Sequence, residues 1–177
     1  MHFHLCSQKS MKHITLRALE PEDIDNVYRW ENNPEVWDCS AAHVPFSRHA
    51  LTQYIMDCGQ IDIYSAKQLR LMAQDGENTV GCVDLFDYDP YHRRAGLGML
   101  IDRQFRGMGY GRPIVEALEC FACKNLQLHQ LYCDISVENT PCLKLFDNCG
   151  FERQGIRKDW TYQDGRWVDA VLFAKIL

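Results

Sequence analysis

The residues best suited to chemistry lie in one short stretch, Arg106-Gly107-Met108-Gly109-Tyr110-Gly111. Its three glycines alternate, and glycine permits positive φ and close approach of another group to the backbone. An apolar run, Leu97 to Ile101, leads in, and a helix-like segment from about Arg112 to Leu126 leads out. A helix that starts there exposes unpaired N–H groups and the positive end of its dipole. Strand, glycine-rich turn and helix together make a cradle for phosphate. The spacing is neither the G-x-G-x-x-G of dinucleotide sites nor the Gly-Lys-Ser/Thr of a P-loop. A plain tight turn is the bland alternative.

The rest of the chain must position that loop. Its 177 residues are most simply one domain, long enough for a full core. Hydrophobic residues make up 46% and charged residues 24%, ordinary for a globular protein. The net charge of −5 argues against general nucleic-acid binding and suits a cationic or amine-bearing substrate. No apolar run approaches the roughly 18–20 residues of a membrane span. Met1 to Lys12 is too polar for a secretory signal and reads as an extension. Nine cysteines, several inside apolar runs, read as reduced thiols in a cytoplasmic protein. Cys120 and Cys123 have metal-like spacing but no second pair, so packing within a helix is the preferred reading and no metal is expected.

Taken in order, His13 to Leu19 alternates as a strand. Glu20-Pro21-Glu22-Asp23 opens a helix whose buried face is Ile24, Val27 and Tyr28, ended by Asn32-Asn33-Pro34. Glu35 to Phe46, with Trp37, Asp38 and His43, has no clear period; it either walls a cleft or merely connects. Ser47 caps a second helix with Leu51, Tyr54, Ile55 and Cys58 on one face. Ile61 to Gln74, Thr79 to Tyr88 and Ala95 to Ile101 read as strands. After the glycine loop come a helix, a strand over Gln130 to Val137, and a short helix from Asn139-Thr140-Pro141 to Gly150. A closing hairpin turns at Asp164-Gly165. The order β-α-α-β-β-β-α-β-α-β-β implies an α/β sheet covered on both sides.

That order and several short motifs resemble the GNAT superfamily of N-acetyltransferases, in the branch of ribosomal-protein N-terminal and spermidine N-acetyltransferases. The residues are Ile14 to Asp23, Val80-Gly81, His92-Arg93-Arg94, Arg106 to Gly111, Val137-Glu138-Asn139 and Asn148-Cys149-Gly150-Phe151. The likeness covers roughly residues 13 to 177, read as a single domain. It implies a mixed sheet of about seven strands flanked by about four helices. It also implies acetyl-CoA as co-substrate. Backbone groups of Met99, Leu100 and Ile101 would pair with the pantetheine arm. Amides of Arg106, Gly107, Met108, Gly109, Tyr110, Gly111 and Arg112 would hold the pyrophosphate, with the Arg106 side chain as charged partner. Asn139 would sit at or near the pantetheine, or simply cap its helix. Relatives often self-associate, so a homo-oligomer is compatible with the resemblance.

Acyl transfer to an amine needs a proton acceptor for the amine and a proton for the departing thiolate. Asp84 and Asp87 are three apart in one strand, so regular alternation sends them to opposite faces. Asp87, nearer the strand end, is preferred as the cleft-facing base, with Asp84 second; structural pairing of both is the alternative. Glu35 and Asp38 are candidates to bind the cationic acceptor, or surface charges that keep a loop soluble. Two departures stand out. Phe146 occupies the place of the family's frequent tyrosine acid, which leaves Tyr88, Tyr110, Cys142 or water. Gly96 stands where spermidine enzymes often have glutamate. The expectation is an acetyl-CoA-dependent N-acetyltransferase of a small-molecule amine or polyamine. A protein N-terminal or lysine acetyltransferase, or a non-catalytic acyl-CoA-binding module, is the alternative.

Overall fold

The computed structural model describes residues 12–37 and 44–177. Seven strands form one sheet: β1 (Ile14–Ala18), β2 (Leu69–Asp75), β3 (Asn78–Asp89), β4 (Arg94–Ile101), β5 (Gln130–Ser136), β6 (Glu152–Gln163) and β7 (Arg166–Ile176). Their spatial order is β1-β2-β3-β4-β5-β7-β6. All neighbours are antiparallel except β4 and β5, which run parallel. The longer helices are α1 (Ile24–Glu31), α3 (Arg48–Cys58), α5 (Gly111–Leu126) and α6 (Thr140–Asn148). Two four-residue helical turns, α2 (Pro34–Trp37) and α4 (Ile63–Ala66), complete the described helices. This is the mixed sheet with four flanking helices that the sequence suggested.

Alternation along β2, β3 and β4 divides the core in two. Leu71, Ala73, Val83, Leu85, Ala95 and Leu97 pack against Ile114, Val115, Leu118 and Ala122 of α5 and Phe146 of α6. On the other face Met72 and Cys82 pack against Val27 and Trp30 of α1 and Leu51 and Ile55 of α3. Both faces are thereby covered, the usual solution for a sheet with apolar residues on both sides.

Two local readings change. The stretch from Ile61 is not strand from its start: the Asp62 carboxylate accepts from the amides of Tyr64 and Ser65, at 2.8 and 3.0 Å, and turns the chain into α4. Lys67 ends that turn with φ of +57°, and β2 begins at Leu69. Local side-chain capping there outcompetes the extended form. On α1 the buried pair is Val27 and Trp30, while Tyr28 faces outward beneath the Arg48 guanidinium. Trp30 is drawn in because its indole N–H donates to buried Asp102 at 2.8 Å.

Asp102 ties α1 to the segment that leads into the glycine loop. It also accepts from the Gln104 amide at 3.1 Å and from the Arg29 guanidinium. Burial pushes its carboxyl pKa up, but the bonds from Trp30, Gln104 and Arg29 outweigh that and hold it below the usual value. A depressed folded pKa stabilises the protein above the unfolded carboxylate value of about 3.9, and that contribution is lost as pH falls through the folded value. Asp102→Ala should therefore lower unfolding stability by roughly 2–3 kcal/mol at neutral pH, since it leaves buried donors without a charged acceptor. Urea melts at pH 7 and pH 3 check this: the gap between wild type and variant should narrow at the lower pH.

Candidate active site

A cleft of about 1180 Å³ opens where β4 and β5 part. The two strands pair only at Arg94 with Gln130, Ala95 with Leu131 and Gly96 with Tyr132. Beyond Gly96, β4 continues to Ile101 against β3 alone, while β5 continues to Ser136 against β7. One edge of Leu97 to Ile101 therefore has no strand partner. An open strand edge inside a fold is a template for an extended ligand. Met99, Leu100 and Ile101 line the cleft along this edge, and Asn139, Pro141, Cys142 and Leu145 line the opposite side. The carboxamide of Asn139 caps α6, its Oδ1 accepting from the Cys142 amide at 3.2 Å, and still borders the cleft.

The glycine loop closes one end. Gly107 and Gly109 have φ of +74° and +82°, the left-handed region that only glycine adopts without strain. A Cβ at either would meet nothing within 4 Å, so backbone conformation and not crowding by the protein demands glycine. Tyr110 precedes α5 without any side-chain cap, and the Ile114 amide donates the first intrahelical bond to Tyr110 O at 3.1 Å. The amides of Gly111 and Arg112 come before that first intrahelical bond, and Pro113 has no N–H to satisfy. The Arg106 and Met108 amides, expected to face an anion, instead donate to Arg103 O and Phe105 O, at 3.3 and 3.4 Å, because the approach to the loop is tightly turned. The Gly107 and Gly109 amides and the helix N-terminus are what the loop offers an anion. The Arg106 guanidinium lines the cleft; its Nε donates to Ile101 O at 3.0 Å and its Nη1 lies 3.7 Å from Glu35.

The other end of the cleft carries a partly buried charge cluster. Arg70 on β2 donates to both oxygens of Asp84 on β3, at 2.7 and 3.2 Å, and to Glu31 of α1. Burial opposes the charge on Arg70, but Asp84 more than compensates and its pKa lies well above the ordinary value. Asp84 sits directly across from Gly98 in the β3–β4 register, two pairs beyond the last contact of β4 with β5. The Tyr54 phenol, beside Arg70, is raised by burial and stays protonated. The Cys82 thiol is pushed up to about 12 by burial and is no thiolate at neutral pH.

These placements sort the residues singled out in the sequence. Arg106, Gly107, Met99, Leu100, Ile101, Asn139 and Asp84 border one cleft. Asp87 does not. The strand is bulged between Phe86 and Asp89, and Asp87 itself adopts φ of +49°, so the regular alternation assumed for the strand end is broken. Its carboxylate lies 3.5 Å from the Tyr132 hydroxyl instead, outside the cleft lining. Glu35 borders the cleft, but at the phosphate end, 3.6 Å from Arg103 and 3.7 Å from Arg106. Asp38 lies outside the described residues. The Tyr110 side chain turns away, donating to Asp75 at 2.8 Å, and the Met108 side chain faces outward. Phe146 is buried against Phe151 and Phe173. Of the substitutes Tyr88, Tyr110 and Cys142, Cys142 alone borders the cleft. Cys120 and Cys123 are exposed free thiols on α5, not packing residues. Arg70, Glu31 and Tyr54 were missed by the sequence reading, although Arg70 inside an apolar strand was a visible signal.

An open central strand edge, a glycine loop and a helix N-terminus fit an elongated ligand that carries phosphate at one end. The chain belongs to the GNAT acetyltransferase family, whose domain model, described as "Acetyltransferase (GNAT) domain", matches residues 13–152. It is an N-acetyltransferase that uses acetyl-CoA. It is 26% identical over 157 residues to the spermidine N(1)-acetyltransferase of Vibrio cholerae, covering 88% of each chain. It is 28% identical over 172 residues to the L-amino acid N-acetyltransferase AaaT of Escherichia coli, covering 94% of this chain and 99% of that one. The crystal structure of spermidine N-acetyltransferase from Vibrio cholerae in complex with CoA and spermine superposes with a TM-score of 0.82. It is 25% identical, with coverage of 93% of this chain and 95% of the other.

Gly109→Val should weaken coenzyme A binding by tenfold or more, because valine is strained at φ of +82° and distorts the amide cradle. Calorimetric titration checks this; an unchanged dissociation constant, in a variant with wild-type circular dichroism, would remove the loop from cofactor binding.

Proposed function

We propose that the chain moves the acetyl group of acetyl-CoA to the primary amine of a small molecule, a class that includes spermidine-like polyamines, by direct transfer. One observation carries this reading: Asp84 is held by Arg70 over Gly98, where β4 loses β5 and its edge becomes available. The open edge and the glycine loop fit acetyl-CoA, which supplies an activated acyl group as a thioester. The pairing of Met99, Leu100 and Ile101 with its pantetheine arm, and of the loop amides and Arg106 with its pyrophosphate, belongs to the same proposal.

The residues then divide the work. An amine of lysine-like pKa, about 10, arrives charged and must lose a proton before it can attack. Asp84, directly or through a water, accepts that proton. The N–C bond forms as the C–S bond breaks, and the thiolate takes a proton from Cys142 or from water. A thiol pKa of about 8–9, like that of cysteine, makes the leaving group tolerable without the tyrosine that Phe146 replaces. Arg70 fixes the Asp84 rotamer through two parallel bonds. We assign the function to one domain over residues 13–177 and to the cytoplasm, consistent with free thiols at every described cysteine. No described helix is long and apolar enough to cross a membrane. Self-association is part of the proposal, since a related structure from Vibrio cholerae is described as dodecameric.

Asp84→Asn should lower kcat by about 10²-fold or more while leaving coenzyme A affinity within about twofold. Asp87→Asn should retain most of the wild-type rate. Steady-state kinetics with acetyl-CoA and a panel of small amines, polyamines, amino acids and peptides tests both, with products identified by mass spectrometry. Coenzyme A binding without a product from any amine would overturn the transferase reading of this cleft.

A further inference from the structure

The charge and the walls of the acceptor end say what can be attached to the amine. Glu31 and Asp84 both bind Arg70, so the inner cluster carries one net negative charge. Of the other acidic residues on the lining, Glu35 meets Arg103 and Arg106, and Asp57 lies exposed at the end of α3, away from Arg70 in the pairing pattern, where it accepts from Gln53 at 2.8 Å. The inner cleft therefore offers counter-charge for one ammonium.

The wall beside Asp84 is apolar. Phe86 follows Asp84 on the same face of β3, two residues along, and pairs across to Gly96. Its ring lies over Gly96: a Cβ there would sit 2.2 Å from the ring, so any other residue at 96 would displace Phe86. The Tyr132 ring holds it edge-on, with centroids 6.3 Å apart at 82°. The Tyr132 hydroxyl, the nearest polar atom of that pair, is turned to Asp87. Ile61, Ala66 and Leu69 continue the lining. A second ammonium placed here would lose its hydration with no carboxylate to meet it, which is costly. An alkyl or aryl body placed here would gain instead, because its apolar surface is removed from water.

We infer that the preferred acceptor is a primary monoamine with an apolar body, an arylalkyl- or alkylamine, and that Phe86 sets this preference over polyamines. This rests on the N-acetyltransferase reading above and narrows its substrate. Asp84 and Arg70 serve the amine; Phe86 and its neighbours serve the body.

The test uses the full chain, acetyl-CoA, and four probes at matched concentration: 2-phenylethylamine, hexylamine, spermidine and L-phenylalanine. The expected result is kcat/KM for 2-phenylethylamine and hexylamine at least tenfold above that for spermidine and L-phenylalanine. Phe86→Ala should reduce the ratio of 2-phenylethylamine to spermidine by tenfold or more, chiefly through KM. Phe86→Leu, which keeps the wall apolar and guards against a folding defect, should retain hexylamine turnover within about threefold and lose part of the aryl preference. Spermidine or L-phenylalanine as the best wild-type acceptor would overturn the inference and leave the N-acetyltransferase reading standing. An unchanged ratio in both variants would remove Phe86 as the determinant. No acetylation of any probe or wider amine panel, with coenzyme A still bound, would overturn the reading itself.

Discussion

The site exists because two parallel strands begin as partners and then separate. Backbone N–H and C=O groups within a fold are almost always paired, and a strand inside a sheet normally pairs on both edges. Here β4 is paired with β5 only from Arg94 to Gly96, then with β3 alone. The centre of the sheet becomes an edge, in a cleft and not on the rim. Ladder bonds to an extended ligand can replace the missing strand, which places the ligand's length along Met99 to Ile101 without any special side chain. The side chains near that edge then matter only at its two ends.

Those ends are electrically opposite. At one, Arg106, the α5 N-terminus and the glycine loop favour an anion. At the other, Glu31 and Asp84 outnumber Arg70. An elongated molecule with phosphates at one end and an acyl group at the other fits that polarity, and an ammonium beyond the acyl group completes it. The Arg106 bond to Ile101 O links the loop to the last residue of the open edge, so the two parts of the site are held in register. Asp102 adds a second link, from α1 to the approach to the loop.

Substitutions within the family plan are absorbed by packing. Phe146 fills an aromatic cluster with Phe151 and Phe173 and leaves the proton for the thiolate to Cys142 or water. Gly96 leaves a hollow that the Phe86 ring fills, which exchanges a polar site for an apolar wall. Both changes keep the core dense, as close-packed interiors require.

The sequence by itself determined the succession of strands and longer helices along the chain, the glycine loop and the helix boundaries around it. Apolar periodicity, glycine and capping residues act over a few positions, so they can be read locally, as at Ser47, Asn139 and the Asp164-Gly165 turn. The tertiary structure alone decided which carboxylate enters the cleft. Asp84 and Asp87 look alike in a linear pattern; alternation only puts them on opposite faces, and nearness to the strand end favoured the second. A bulge after Phe86 turned Asp87 toward Tyr132, and Arg70, fourteen positions from Asp84, captured Asp84. Likewise Glu35 reads as a free acid until Arg103 and Arg106, far along the chain, are brought beside it. Charge partners and bulges depend on which strands lie side by side, and that is a property of the folded sheet, not of neighbouring residues in the chain.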